Sequence, residues 1–168
     1  MVSTDAVVTQ NSGLILDFSI TFGSSDFDFL LTDPAIGADF LGVSSKLMVD
    51  VDRPINITYQ KATCWSTYEP VANTVYTTDA AQTNITIISA VDGSIIDTVD
   101  FDPSTEGGLD STIGGSNLFV LTQNGMIVSV DISGVAAGGK ARPIMVFDPQ
   151  PNAGGSASSL NGLGAWMS

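Results

Sequence analysis

The residues of this 168-residue sequence that could do chemistry are a few aspartates and one cysteine. Asp17 and Asp110 each stand in a short stretch of mixed polar and apolar residues, where a buried carboxylate could act as a general base. Both are weak catalytic candidates, because a buried aspartate more often accepts hydrogen bonds from nearby backbone N–H groups. No acid and base can be paired from the sequence, so whether this chain is an enzyme stays open.

Cys64 stands next to Trp65 and is the only cysteine in the chain. A thiolate nucleophile needs a base, and the sequence has no histidine to supply one. Because cysteine is among the residues most often buried, a packing role is the stronger interpretation. If a small ligand binds, we expect it to meet side chains of these same short stretches, namely Phe18, Ser19, Cys64, Trp65, Ser66 and Ser111.

Composition and motifs exclude several functional classes. Only 5 Lys and Arg residues stand against 18 Asp and Glu residues, and the formal net charge is −13. Such a surface repels phosphate backbones and anionic membranes, so we predict no nucleic-acid partner and no membrane partner. No apolar run approaches the roughly 18 residues of a membrane span. Zinc-ligand spacings and dinucleotide-binding glycines do not occur either, so we predict neither a metal site nor a cofactor.

The sequence leaves two cellular locations open. Asn56-Ile57-Thr58 and Asn84-Ile85-Thr86 are sequons, which would make Asn56 and Asn84 glycosylation acceptors in a secreted protein. The first ten residues lack the basic and apolar regions of a signal peptide, so secretion would need a longer precursor. We expect a secreted, extracellular glycoprotein, with a cytoplasmic protein as the alternative.

The β-strands that would position the candidate aspartates, serines and aromatic residues recur along the chain. An apolar run ends in threonine plus a polar residue three times, at Leu31-Thr32-Asp33, Thr77-Thr78-Asp79 and Leu121-Thr122-Gln123. The first two polar residues are 46 positions apart, and the second and third are 44 apart. A period of about 45 residues is typical of β-propeller blades, which are four-stranded sheets that recur along the chain.

We therefore predict an all-β fold in which residues 1–168 form a single partial propeller domain. Segment 1–13 would be the outer strand of a preceding blade, and 150–168 would be a connector followed by the inner strand of a following blade. The complete four-stranded blades lie between these segments, at 14–58, 59–103 and 104–149.

The strands within each predicted blade differ in pattern. The segments 16–22, 62–68 and 108–114 mix small, polar and apolar residues, which suits innermost strands packed around a narrow channel. Val75–Thr78 and Phe119–Thr122 have the most buried pattern, whereas Asn84–Ser89 has the looser pattern expected of a strand nearer the rim. The pattern of these inner segments therefore predicts which residues of each blade would face the channel.

About three complete blades cannot close a ring, because closed propellers use about 4 to 8. Their first and last sheets would leave apolar faces and strand edges exposed. The predicted partner is a companion propeller half, from the same or a different chain, so we expect an oligomer or a larger ring. A β-sandwich is the alternative fold, although sandwiches do not repeat one strand ending at an interval of this length.

The blade pattern resembles one known family. ILDFSITF with FDFLLTDPAIGADFL, KATCWSTY with NTVYTTDAAQTNITIIS, GLDSTIGGSNLFVLTQNGMIVSVDI and the ending GLGAWMS look like the C-terminal half of lactonase-like seven-bladed propellers. That family includes bacterial 6-phosphogluconolactonases and fungal carboxymuconate cyclases. Ala62-Thr63-Cys64-Trp65, followed by Tyr76-Thr77-Thr78-Asp79, is the most specific part of a resemblance that covers nearly the whole chain.

The resemblance implies a lactonase or cyclase-like fragment that binds a small oxygenated or anionic ligand at the central channel. Cyclising members are thought to use His, Glu and Arg side chains that line this channel. This chain departs from them: it has no His, and its only Arg residues, Arg53 and Arg142, fall on or beside outer strands. The alternative is a non-catalytic propeller that serves as a binding or assembly module. Neither the substrate nor the total number of blades can be predicted.

Overall fold

The computed structural model describes residues 14–23, 28–45, 49–150 and 162–165 of the chain. These residues form twelve strands and one short 3-10 helix, Val135–Ala137. The strands are β1 (Ser19–Phe22), β2 (Phe29–Asp33), β3 (Gly37–Val43), β4 (Val49–Asn56), β5 (Thr63–Glu69), β6 (Thr74–Asp79), β7 (Asn84–Ser89), β8 (Ile95–Asp100), β9 (Gly108–Gly114), β10 (Asn117–Thr122), β11 (Ile127–Asp131) and β12 (Arg142–Phe147).

The strands are organised as three four-stranded antiparallel sheets in chain order: β1–β4, β5–β8 and β9–β12, called here the first, second and third sheet. Each sheet is a simple meander of hairpins, which requires only short connections. The edge strands β1, β5 and β9 lie next to one another. The predicted all-β class and the four-stranded unit are confirmed. The predicted outer strand at 1–13 lies outside the described residues.

Two apolar layers hold the sheets together. The first lies between the first and second sheets and contains Leu30, Phe40 and Ile55 on one side and Val75 and Ile88 on the other. The second lies between the second and third sheets and includes Tyr76, Ile85, Ile87, Val99, Leu118, Val120, Val128 and Val130. Because side chains alternate between the two faces of a strand, the middle sheet contributes different residues to each layer.

β7 is more buried than predicted. Asn84–Ser89 is the third strand of its sheet and lies nearer the rim than β6, but it lacks the looser burial pattern expected there, because its four central residues are all buried. The reason is that the second sheet is covered on both faces: Ile85 and Ile87 pack toward the third sheet, while Ile88 packs toward the first. A strand buried on both faces loses the polar alternation by which a half-exposed strand is recognised.

Hydroxyl groups join the innermost strands of neighbouring sheets. Thr21 Oγ1 donates to the carbonyl of Ser66 at 2.8 Å and lies 2.6 Å from its hydroxyl oxygen. Thr67 Oγ1 makes the same two contacts with Ser111, at 2.9 and 2.6 Å. The Thr32 hydroxyl also donates to the carbonyl of Cys64. These bonds recur at separations of 45 and 44 residues, so they belong to the repeat itself.

The repeated aspartates tie each sheet to the chain that precedes it. Both Asp33 and Asp79 are buried at the end of the second strand of their sheet, and each carboxylate accepts three backbone N–H groups. The donors to Asp33 are Ile15, Leu16 and Ala35, and the donors to Asp79 are Lys61, Ala62 and Ala81. Each aspartate therefore fixes both the entry to the innermost strand and the following hairpin turn.

The Asp33 carboxylate should make stability depend on pH. Burial alone would raise the pKa of Asp33, but the N–H groups of Leu16, Ile15 and Ala35 outweigh it, so this pKa lies below 3.8. These donors stabilise the charged form, so its contribution is complete above the unfolded-state value and is lost as the pH falls through the lowered pKa. We expect Asp33→Asn to flatten the acid side of a plot of unfolding free energy against pH, measured in urea. An equal loss of unfolding free energy at acid pH in Asp33→Asn and the wild type would contradict this.

Candidate functional site

The two carboxylates predicted as weak catalytic candidates lie in different surroundings. Asp17 is exposed and precedes β1. Asp110 lies on β9 and is half-buried; its carboxylate accepts the N–H of Ser111 and, at 2.7 Å, the N–H of Leu163. Asp110 therefore positions the segment 162–165 against the innermost strand of the third sheet, which is a backbone-bonding role.

The aromatic candidates, Phe18 and Trp65, come together. Phe18 precedes β1 and Trp65 lies on β5, and their rings meet edge to face with centroids 5.4 Å apart. The Phe18 side chain is about half exposed and Trp65 is half-buried, so this pair offers an accessible apolar surface at the innermost strands. The pair joins the first sheet to the second and adds to the hydroxyl contacts between them.

The serine candidates lie at the contacts within and between sheets. Ser19 Oγ is 2.9 Å from the hydroxyl of Thr32 in the same sheet. The hydroxyls of Ser66 and Ser111 are each hydrogen-bonded to a threonine hydroxyl of the preceding sheet. Their side chains thus already have hydrogen-bonding partners inside the protein. A ligand would have to compete with these bonds, which weakens the case for them as contact residues.

Cys64 is buried on β5, consistent with a packing role. Burial raises the pKa of its thiol, and the nearby Asp79 carboxylate acts in the same direction. A thiol held in the protonated form is a poor nucleophile at neutral pH. Arg53 and Arg142 lie on the outermost strands β4 and β12, where Arg142 pairs with Asp131 at 3.1 Å and Arg53 donates to the carbonyl of Val91 at 3.0 Å.

Within 14–23, 28–45, 49–150 and 162–165, no three acidic, cysteine or histidine side chains gather closely enough to hold a metal ion. In the same ranges, no helix is long and apolar enough to cross a membrane.

The predicted glycosylation sites differ in exposure. Asn56 is exposed at the end of β4, whereas Asn84 is half-buried at the start of β7 and lines a cavity. A glycan on Asn84 would have to displace the chain that covers it. When the chain is secreted behind an added signal peptide, we expect folded material to carry a glycan on Asn56 and little on Asn84. Glycopeptide mass spectrometry measures both; higher occupancy at Asn84 would refute the expectation.

The cavity beside Asn84 was not predicted from the sequence. It measures about 260 Å³ and lies between the connection 57–60 and the second sheet. Its polar lining includes a row of three threonines, Thr77, Thr86 and Thr98. No motif marks this site. The sequence nevertheless carried a signal: the positions of Thr77, Thr86 and Thr98 are taken by valines in the third repeat. The strand register of the third sheet identifies these equivalent positions.

The two terminal sheets each expose an apolar face. Ile20 and Phe22 of β1 point away from the second sheet and are 52% and 73% exposed. Their strand alternates with Thr21, which bonds to the second sheet. On the other side, Met145 and Phe147 of the third sheet are 52% and 37% exposed. We call these the outward faces of the first and third sheets: Ile20, Phe22 and Phe29, and Phe119, Ile127, Met145 and Phe147.

These features define the class of protein: the chain has a β-propeller fold, in which four-stranded sheets stand side by side with their innermost strands together. BamB from Moraxella catarrhalis matches with a TM-score of 0.55 at 13% identity, over 80% of this chain and 36% of that one. Apo AztD from Citrobacter koseri matches with a TM-score of 0.51 at 14% identity, over 80% of this chain and 34% of that one.

Both of these proteins are β-propellers, and at such low identity the likeness shows the fold alone. This chain spans about a third of the length of each. No protein-family model and no curated protein matches the sequence. The propeller prediction is confirmed, and the narrower resemblance to lactonase-like proteins is taken up below as a proposal.

Proposed function

We propose that these three sheets are an arc of a larger propeller and that the chain serves as a binding or assembly module. The observation that carries the proposal is the pair of apolar outward faces. Within the chain, each face between neighbouring sheets is covered by the next sheet through apolar contacts and the hydrogen bonds of a threonine–serine pair. Further sheets, from the remainder of a longer protein or from a companion chain, would cover the outward faces in the same way.

The energetic reason is the apolar area left in contact with water. Burying a fully exposed side chain of this kind contributes about 1.5–3 kcal/mol, and Ile20 and Phe22 still have 52% and 73% of their surface to bury. A face of several such residues would therefore favour association strongly. The segment 162–165 supports the proposal at the third sheet, because it lies along β9 where the innermost strand of a following sheet would stand. The N–H of Leu163 is bonded to Asp110, and a Cβ added at Gly114 would lie 3.6 Å from Ala165.

Light scattering on the 168-residue chain tests this proposal. We expect concentration-dependent association that the double variant Ile20→Asp/Phe22→Asp weakens, as does Met145→Asp/Phe147→Asp on the opposite face. Val71→Asp is the matched control, because Val71 is 84% exposed but lies in a turn. A wild-type chain that stays monomeric at all concentrations and binds no apolar dye would contradict the proposal.

A second candidate is a lactonase or cyclase-like activity, favoured by the accessible Phe18–Trp65 pair at the innermost strands. A small oxygenated ligand would pack against this aromatic surface, and Asp17 or Asp110 would supply the carboxylate. Hydrolysis of a lactone panel by the assembled ring tests it, with Asp17→Asn and Asp110→Asn as variants. Unchanged hydrolysis in both variants would remove these carboxylates from the mechanism.

A further inference from the structure

The cavity between the connection 57–60 and the second sheet differs from the apolar sheet interfaces. Its floor crosses the second sheet from β6 to the outermost strand β8, so it lies largely away from the aromatic pair. Thr77, Thr86 and Thr98 form this floor as a row of directly paired residues on one face. At about 260 Å³ the cavity is slightly smaller than the roughly 300–1,000 Å³ typical of drug-sized ligands. This suits a ligand of monosaccharide size.

The third sheet provides an internal comparison for this row. In the second sheet the row continues from Ser66, whose hydroxyl contacts that of Thr21. In the third sheet the corresponding row continues from Ser111, whose hydroxyl contacts that of Thr67. That second row consists of Val120, Val128 and Val146, all directly paired. Val120 and Val128 are fully buried in the apolar layer against the second sheet. Three hydroxyls thus replace three methyl groups of almost the same size.

This replacement changes what the row can bond. Thr77 and Thr86 are buried as residues, whereas Thr98 is exposed. Among the described residues, the fully buried side-chain hydroxyls without a partner are those of Thr74, Tyr76 and Thr78, so the hydroxyls of the threonine row are not sealed inside the sheet interface. They line the cavity, where a ligand with its own hydroxyl groups would hydrogen-bond them.

The remaining lining residues indicate the ligand's chemistry. Asn84 and Asp100 are directly paired across β7 and β8 at the edge of the threonine row. Asp79, whose carboxylate already accepts three backbone N–H groups, adds negative charge, and none of the described residues that line the cavity is Lys or Arg. Carboxylates accept hydrogen bonds from ligand hydroxyls but repel anions. The lining therefore favours a neutral ligand rich in hydroxyl groups.

Tyr59 covers one side of the cavity in an uncommon backbone conformation. Its φ is 70°, its side chain is 89% exposed, and its carbonyl accepts a hydrogen bond from Gln82 Nε2 at 2.9 Å. A bulky residue rarely adopts positive φ, and such conformations cluster at ligand-binding sites. An exposed aromatic ring beside a hydroxyl-lined cavity is suited to stacking on the apolar face of a sugar ring.

We propose that the cavity between the connection 57–60 and the second sheet binds a neutral, polyhydroxylated ligand of monosaccharide size. Thr77, Thr86 and Thr98 hydrogen-bond its hydroxyl groups, together with Asn84 and Asp100. Tyr59 packs against its ring. This site lies apart from the Phe18–Trp65 pair and from the outward faces, so its occupancy does not depend on how the ring is completed.

Amide NMR spectra of the 168-residue chain, produced in bacteria so that Asn84 is unmodified, test the proposal. The probes are methyl α-D-glucopyranoside, methyl α-D-mannopyranoside, methyl β-D-galactopyranoside and N-acetyl-D-glucosamine, with D-glucuronate as the anionic counterpart. We expect at least one neutral sugar to shift amides of β6, β7 and β8, and glucuronate to bind more weakly. If none of the neutral sugars shifts these amides, the proposal is wrong.

The most direct test is a triple variant that introduces the valine row of the third sheet into the second sheet. Thr77→Val/Thr86→Val/Thr98→Val should fold at least as stably as the wild type and bind the sugar at least tenfold more weakly, because each lost hydrogen bond costs roughly a factor of five. Thr74→Val is the matched control: it removes a buried, unpartnered hydroxyl of the same strand outside the cavity, so binding should not change. Equal affinity in the triple variant and the wild type would overturn the proposal.

Discussion

Replacing Gly107 by alanine is expected to lower the free energy of unfolding by about 4 kcal/mol or more. A Cβ atom at this position would lie 2.0 Å from the carbonyl oxygen of Ala80 and 2.2 Å from its carbon. Both are backbone atoms, so no side-chain rotation relieves the clash. The carbonyl of Gly107 also accepts the N–H of Gln123 at 2.9 Å, which holds the glycine in place. The third sheet would have to move away from the second.

Urea unfolding followed by circular dichroism measures this effect. Gly134→Ala is the matched control, because the nearest atom to a Cβ there is 3.7 Å away and its backbone is right-handed. We expect Gly134→Ala to change the unfolding free energy by less than about 1 kcal/mol. Similar unfolding midpoints for the two alanine variants would show that the sheets are not held as closely as the structure indicates.

Removing the Asp79 carboxylate should have the second-largest effect. Asp79→Ala leaves the N–H groups of Lys61, Ala62 and Ala81 without their acceptor, at bond lengths of 2.6, 3.0 and 2.7 Å. Hydrogen bonds to a charged group contribute about 1.5–3 kcal/mol each, although neighbouring bonds are not additive. We therefore expect a loss of about 3–5 kcal/mol in unfolding free energy.

Two further variants sharpen the Asp79 measurement. Asp79→Asn keeps one carbonyl oxygen as acceptor, so we expect an intermediate loss. Glu106→Ala removes an exposed carboxylate and should leave the unfolding midpoint unchanged. Urea denaturation at neutral pH compares all three variants with the wild type. If Asp79→Ala were as stable as Glu106→Ala, the carboxylate would not fix the entry to β5.

The sequence alone was sufficient to predict the repeating unit. The strand ending with Asp33 and Asp79 is readable because each carboxylate accepts one N–H two residues further on and two N–H groups 17 or 18 residues earlier, all within one repeat, so the same arrangement forms wherever the motif occurs. The predicted inner segments 16–22, 62–68 and 108–114 contain or nearly match β1, β5 and β9. Local turn chemistry and a fixed period therefore determined the four-stranded sheets and their order along the chain.

Only the tertiary structure decided which faces meet and which functional residues come together. The contact of Thr21 with Ser66 and the pairing of Phe18 with Trp65 join residues about 45 positions apart, and a period says nothing of side-chain direction across that gap. The same holds for Thr77, Thr86 and Thr98. Each is an ordinary β-strand residue in the sequence, and strand register alone brings the three hydroxyls into one row.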